Sequence, residues 1–360
     1  MKTLTRYIGR EVLAAILLIF SGLIMLFAFF DLIGELGEVG KANYTLSTAF
    51  IFVALQLPSR MYELFPVAAL IGTLFAISQL VANSEYTVMR ASGASLLQVL
   101  WSLVRVGIPL ALVTFLAGEF VAPPAERIAR QVRAQAKGDR VTMATQQFQS
   151  GFWFRQDLTI VNIRGVLADM TLVGVRLYEF DRDLRLKTMR VAESGSFTRE
   201  GVWTLSGVSS TALSADGATL TKQQTLAWET VLRPSLLTVF QVAPEKLELG
   251  TLWDNMRVLS SGTQKTSRFE IAFWNKLFFP AAVLVMMLLA LPFSYFQRRG
   301  GGIGFRIFVG TMLGLAFFLV GRLFSNLGVL NDWSPLFSAA FPLAMFVTVT
   351  LALLWWLERR

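Results

Sequence analysis

The chain has 360 residues, 54% of them hydrophobic and only 16% charged, with a formal net charge of +9. Soluble globular proteins hold about 25% charged residues, so the deficit points to lipid as a surrounding solvent. Cysteine and histidine are both absent, which excludes Cys/His zinc, haem and iron–sulfur sites, thiol nucleophiles and any Ser-His-Asp triad.

Six apolar runs flank one polar block of roughly 145 residues, three before it and three after. The first runs from Val12 to Phe30, with Lys2, Arg6 and Arg10 ahead of it and Asp31, Glu35 and Glu38 behind. It is too long for a cleavable signal peptide and no small-residue cleavage site ends it. The charge asymmetry predicts a cytoplasmic N-terminus. The stretch Ala49–Leu57 is interrupted by Pro58-Ser59-Arg60. Too short to cross alone, it is expected to lead at an angle into span two, Leu64–Ala82. Span three covers Leu96–Ala122, and Pro123-Pro124 is expected to stop it.

Beyond it, Arg127, Arg130, Arg133, Lys137 and Arg140 recur every three or four residues and share roughly one side of a helix. The pattern then changes from helical to alternating, with strands expected at Leu158–Ile163, Val173–Phe180, Leu186–Val191 and Val202–Ser206. Turn signals separate them at Asp181–Asp183, Glu200-Gly201 and Asp216-Gly217. Short strands at this spacing predict a β-sandwich or jelly roll over 146–242. The amphipathic segment Pro244–Arg268 is expected to return the chain to the bilayer. Spans four to six follow at Ile271–Phe296, Ile303–Leu327 and Leu336–Leu357, with Gln297–Gly302 joining four to five and Arg359-Arg360 after the last. The expected organisation is therefore spans one to three in 1–122, an outer domain in 123–268 and spans four to six in 269–360, both termini being cytoplasmic.

The polar stretch 83–95 between spans two and three is cytoplasmic in that topology. Asn83 or Ser84 can cap a short helix, Glu85 suits its positive N-terminal end, and Gly93 can end it. Val88, Met89 and Ser92 then fall on one face. Such a helix is either an ordinary interfacial segment or a plug for a groove on a partner.

Ser84-Glu85 followed by Val88-Met89-Arg90-Ala91-Ser92-Gly93 resembles the coupling helix of the lipopolysaccharide export permeases LptF and LptG. Further matching segments are Arg6–Gly9, Phe65–Leu70, Gly118–Pro123 and Arg133–Ala136. The opening, the Ala-Ser-Gly tripeptide and Gly151-Phe152-Trp153 are more similar to LptG. The resemblance implies a six-helix membrane subunit with a periplasmic jelly roll inserted between helices 3 and 4. It implies a sister permease of LptF type, two copies of an LptB-type ATPase, an LptC-type single-span protein and an LptA-type jelly-roll bridge. Glu85, Val88, Met89, Arg90, Ser92 and Gly93 would meet the ATPase. Lipopolysaccharide would enter from the outer leaflet between spans one and five of paired subunits, in the bacterial inner membrane.

Arginine recognises phosphate with a planar fork, and lipid A carries phosphates. Lys41, Arg60, Arg130, Arg133 and Lys137 are therefore candidates for binding lipid phosphate, against the plainer role of a juxtamembrane face touching ordinary phospholipid. The basic residues form no single tract beside an aromatic platform, so nucleic acid is not expected as a partner. Glu35 and Glu38 stand where relatives place further lysines. In span five Phe317, Phe318, Gly321 and Arg322 are candidates for a cavity wall or gate, although a lone arginine near a helix end also snorkels to the interface. Gly310, Gly314 and Gly321 are expected to allow close helix approach or gate movement, against the plainer reading that glycine is common in membrane helices. Arg105 and Glu119 in span three are open to the same two readings as Arg322.

No phosphate-binding loop is present: Gly34–Lys41 has the wrong glycine spacing, and Gly300–Gly304 lacks a following Lys-Ser/Thr. The chain is expected to bind no cofactor itself and to be no enzyme, ATP and Mg belonging to the partner. The competing readings are an ion-coupled lipid transporter, which needs ionisable groups near the midplane, and a membrane scaffold for periplasmic proteins.

Overall fold

The structure, a computed structural model, describes residues 2–137, 141–142, 152–167, 170–199, 202–214, 217–230, 232, 243–261, 266–296 and 303–359. The expected loop at 297–302, the turn at 200–201 and Arg140 lie outside them. The chain forms two compact units, one of residues 1–38, 49–129 and 267–360, the other of 39–48 and 130–266.

The first unit is helical. Its elements are α1 (Lys2–Leu36), α2 (Leu46–Ala82), α3 (Glu85–Ala91), α4 (Leu96–Leu116), a π-helical turn (Ala117–Val121), α5 (Ala122–Lys137), α7 (Ser267–Phe296), α8 (Ile303–Leu330) and α9 (Pro335–Glu358), except that residues 46–48 of α2 and 130–137 of α5 belong to the second unit. Of these α1, α2, α4 with its continuation, α7, α8 and α9 are long and apolar enough to cross a membrane. Two proline expectations are corrected. Pro58 lies inside an unbroken 37-residue α2. That helix is densely packed from Phe65 to Leu80, and beside Pro58 its buried Ser59 donates to Glu126 Oε2 at 3.3 Å. The tertiary contacts outweigh the one backbone hydrogen bond proline removes. Pro123 and Pro124 do not end span three either. They occupy the first turn of α5, directly after the π-helical turn, where the register change already leaves N–H groups without their usual acceptors.

α2 and α7 form the centre. Ile8, Val12 and Ile16 of α1 pack with Ile77 and Leu80 of α2, Val99 and Leu103 of α4, and Met287 and Leu291 of α7. Leu70 and Leu74 of α2 join Met286 and Leu289 of α7 and Phe346 of α9 on the other side. Gly72 makes the first contact possible, because a Cβ there would lie 2.5 Å from the Cα of Ile16. α1 and α8 are the spans least buried by the rest of the chain.

The second unit holds the expected all-β domain. Strands β1 (Val141–Thr142), β2 (Phe152–Gln156), β3 (Thr159–Leu167), β4 (Leu172–Phe180), β5 (Leu186–Arg199), β6 (Val202–Ser214) and β7 (Gly217–Glu229) make one antiparallel sheet. β1 and β2 lie end to end on the same edge of β3, and β3 to β7 follow as a meander. The sheet curls. Phe154 on β2 and Trp228 on β7, from opposite ends of the strand order, approach to 6.4 Å between ring centroids, and Thr230 Oγ1 donates to Gln156 Oε1 at 2.7 Å. The enclosed core contains Val161, Ile163, Leu172, Val175, Leu177 and Leu205 around Trp203. Trp203 is fully buried and its Nε1–H donates to the Leu232 carbonyl at 2.7 Å. The amphipathic return segment forms α6 (Leu249–Ser261) after a short 3₁₀ turn at Pro244–Lys246.

Candidate functional site

Three clusters carry the charged and exposed groups singled out by the sequence, and they are built differently.

The first is α3 with the helix ends around it. Gly93 ends the helix as expected. Its φ of +91° allows the Gly93 N–H to reach the Arg90 carbonyl at 3.1 Å and the Ala94 N–H to reach the Met89 carbonyl at 3.0 Å, a Schellman closure. Ser84 occupies the N-cap with a left-handed backbone and makes no side-chain cap, whereas Ser95 and Gln98 form a full capping box at the start of α4. The expected shared face of Val88, Met89 and Ser92 is divided. Met89 packs against the core beside buried Tyr86, three residues earlier, while Val88 is 67% exposed. The helix is tilted onto the body by Tyr86 and Met89, leaving Val88 and Ser92 outward. Arg90 Nη1 donates to the Ala94 carbonyl at 3.2 Å and so braces the closing turn. Glu85 takes a 2.7 Å hydrogen bond from the phenol of Tyr7 on α1. The sequence marked Arg6–Gly9 only as a matching segment; the contact itself needed the fold.

The second cluster is an ion pair among the helices, at the end of α1 remote from Tyr7. Glu119 in the π-helical turn meets Lys276 of α7 at 2.7 Å, and both side chains are buried, at 12% and 4% exposure. Beside them Tyr62 of α2 stacks on Phe279 of α7 at 3.9 Å. Gly118 gives Tyr62 its room, since any Cβ there would collide with the ring. Also on this side, Arg60 forms a two-pronged fork with Asp31 of α1, at 2.8 and 2.9 Å, and reaches Glu63 at 3.3 Å. Lys276 was missed by sequence reasoning. Its signal was present: Lys276 and Glu119 are single opposite charges near corresponding ends of two apolar runs.

The third cluster belongs to the β-containing unit. The segment 39–48 folds onto the end of α5: the Asn43 N–H donates to the Ala136 carbonyl at 3.0 Å, and Lys137 Nζ lies 5.8 Å from the ring centre of buried Tyr44. Lys41 is exposed in the same turn, whose Tyr44 N–H donates to the Lys41 carbonyl. The fold thus gathers Lys41 and Lys137, with Arg130 and Arg133 on the preceding turns of α5. Arg60 belongs to the other unit and is engaged by two carboxylates.

On α8 the four residues grouped together divide in two. Phe317 turns inward and meets Phe346 of α9 edge-on at 5.2 Å, while Phe318 and Arg322 are exposed and Gly321 faces open space. Gly310 and Gly314 lie against Ile71 and Val67 of α2, which is close helix approach. Arg105 of α4 is exposed, its guanidinium 5.5 Å from the Trp101 ring centre.

The sequence matches the family described as lipopolysaccharide export system permease LptF/LptG over residues 6–356. It is 33% identical over 354 residues to the lipopolysaccharide export system permease protein LptG of Escherichia coli K12, covering 98% of this chain and 97% of that one. Against LptG of Haemophilus influenzae the identity is 31% over 360 residues, covering 100% and 99%. Escherichia coli LptF is 24% identical over 325 residues, covering 88% and 84%.

Proposed function

Because the chain belongs to the lipopolysaccharide export system permease LptF/LptG family and is most like LptG, we propose that it is the LptG-type permease subunit of an ATP-driven transporter that extracts lipopolysaccharide from the bacterial inner membrane. The observation that carries this reading is the full-length match to LptG together with six membrane-crossing helices and an inserted β domain. In the proposed topology both termini and α3 are cytoplasmic and the β domain is periplasmic.

The chain supplies positioning and a path, not hydrolysis. Its sequence contains no phosphate-binding loop, so ATP and Mg belong to an LptB-type ATPase dimer. That ATPase would grip α3 through the outward Glu85, Val88 and Ser92, with Met89, Arg90 and Gly93 setting the shape of the grip. An LptF-type sister would complete a V-shaped cavity, for which α1 and α8 offer the least covered apolar surfaces. Phe318, Gly321 and Arg322 line the open face of α8 in that arrangement, and Phe317 backs them. Lys41, Arg60, Arg130, Arg133 and Lys137 would meet lipid phosphates, each contact contributing about 1.5–3 kcal/mol before desolvation. Arg60 also ties α1 to α2 through its fork with Asp31. ATPase closure would collapse the cavity and drive the lipid toward the β domain and an LptA-type bridge, with an LptC-type protein docking alongside.

Co-expression with a sister permease and an ATPase of these types, followed by mass spectrometry of the purified assembly, tests the reading. It predicts both proteins and bound lipopolysaccharide; recovery of the chain alone contradicts it. Ion-coupled transport has one observation in its favour, the buried Glu119–Lys276 pair. It predicts lipid movement driven by a proton gradient without nucleotide, whereas the ATP-driven reading predicts none.

A further inference from the structure

We propose that Tyr7 is a positioning residue for the coupling acid: its phenol holds the Glu85 carboxylate in place and joins the motion of α3 to α1. The inference rests on the ATP-driven reading above and adds to it the element that receives the force.

The Tyr7 hydroxyl donates to Glu85 Oε2 at 2.7 Å across 78 residues of sequence. It is the only hydrogen bond of the Glu85 carboxylate among the described residues, so one oxygen is anchored and the other remains available to a cationic group on a partner. The surroundings make this contact mechanical. Ile8 and Val12, just after Tyr7, are fully buried against the cluster that includes Tyr86 of α3 and Val99 and Leu103 of α4. Ser102 Oγ of α4 donates to Thr5 Oγ1 at 3.2 Å. The first turns of α1 are therefore seated between α3 and α4, and Tyr7 is the polar contact that reaches the acid.

α1 is suited to carry a displacement. It has 35 residues and no proline, unlike α2, α4, α7 and α9, so it runs about 50 Å without a designed kink. Its far end is also held, by the Asp31–Arg60 fork at 2.8 and 2.9 Å. Latched at both ends and with no residue buried from Leu17 to Gly34, α1 moves as a rod. A push on Glu85 then tilts α1 rather than merely bending the loop before α4.

The test uses the whole complex of this chain with its sister permease and ATPase in proteoliposomes containing lipopolysaccharide. Tyr7→Phe deletes only the hydroxyl and keeps the ring. Lipid released per ATP hydrolysed is expected to fall about tenfold, the equilibrium counterpart of one charge-assisted hydrogen bond, while assembly and thermal midpoint stay as in the wild type. Glu85→Ala is expected to lower the same ratio, and the double variant Tyr7→Phe/Glu85→Ala to fall no further than Glu85→Ala alone, since each change removes the same contact. An unchanged ratio in Tyr7→Phe overturns the inference. So does a double variant whose losses multiply, or a loss of ratio that comes only with loss of assembly. If the wild-type complex releases no lipid with ATP, the transport reading itself falls and takes this inference with it. A working wild type beside an unaffected Tyr7→Phe removes the inference alone.

Discussion

Replacing Lys276 with Met leaves the Glu119 carboxylate buried among helices without its cation. The pair is 2.7 Å apart and both side chains are nearly inaccessible, so solvent cannot substitute for the missing charge. Breaking a buried pair from one side costs about 3–5 kcal/mol, although the intact pair adds little over an apolar replacement. For a helical unit of this size, about 1 kcal/mol shifts the midpoint by roughly 2–4 °C on the scale of soluble domains, so Lys276→Met is expected to lower Tm by on the order of 10 °C. The double variant Lys276→Met/Glu119→Leu removes both charges and is expected to recover most of that loss, giving a coupling well outside additivity. Thermal unfolding of the purified protein in detergent, followed by tryptophan fluorescence, reads Lys276→Met, the single Glu119→Leu and the double variant. A single variant within about 2 °C of wild type refutes the reasoning, and so does a double variant as unstable as the singles added together.

Gly118→Ala forces Tyr62 off Phe279, and the overpacking is expected to cost about 1–3 kcal/mol, read by the same assay; Gly22→Ala, where nothing lies within 4 Å, should leave Tm unchanged or slightly raised. Trp203→Ala opens a cavity in the β domain and leaves the Leu232 carbonyl without its donor, an expected loss of about 3–5 kcal/mol in denaturant unfolding, with Trp203→Phe intermediate. Burial raises the phenol of Tyr86 above its ordinary 10.0. The neutral form is favoured in the folded chain, so this contribution is whole below pH 10.0 and is lost as pH rises through the folded value. Tyr86→Phe should accordingly flatten the alkaline limb of a stability–pH profile and leave its acidic limb in place.

The architecture was legible because its signals are long. Six apolar runs and a polar block exceed any local ambiguity, and Gly93 announced a helix end that only a residue tolerant of positive φ makes easily. Proline misled twice, at Pro58 and at Pro123-Pro124, because dense packing along α2 and a π-helical turn absorbed the missing donors. β7 escaped notice for the opposite reason. Its residues are exposed on both faces over most of its length, so no alternation marks it. On α3 the expected shared face of Val88, Met89 and Ser92 is divided because a seven-residue helix gains its orientation from what it leans on, here through Tyr86. The pairs Tyr7–Glu85, Asp31–Arg60 and Glu119–Lys276 span 29 to 157 residues of sequence (276 − 119 for the longest). Each member is visible alone, but the partnership exists only once the helices are packed.

The central claim is that this chain has no engine and takes force through one acidic side chain on α3. The direct measurement is ATP-driven transfer of lipopolysaccharide from proteoliposomes by the full complex carrying Glu85→Lys. Transfer reduced by at least about tenfold, with the complex still assembled, is the predicted result. Transfer and nucleotide hydrolysis at wild-type rates would contradict it.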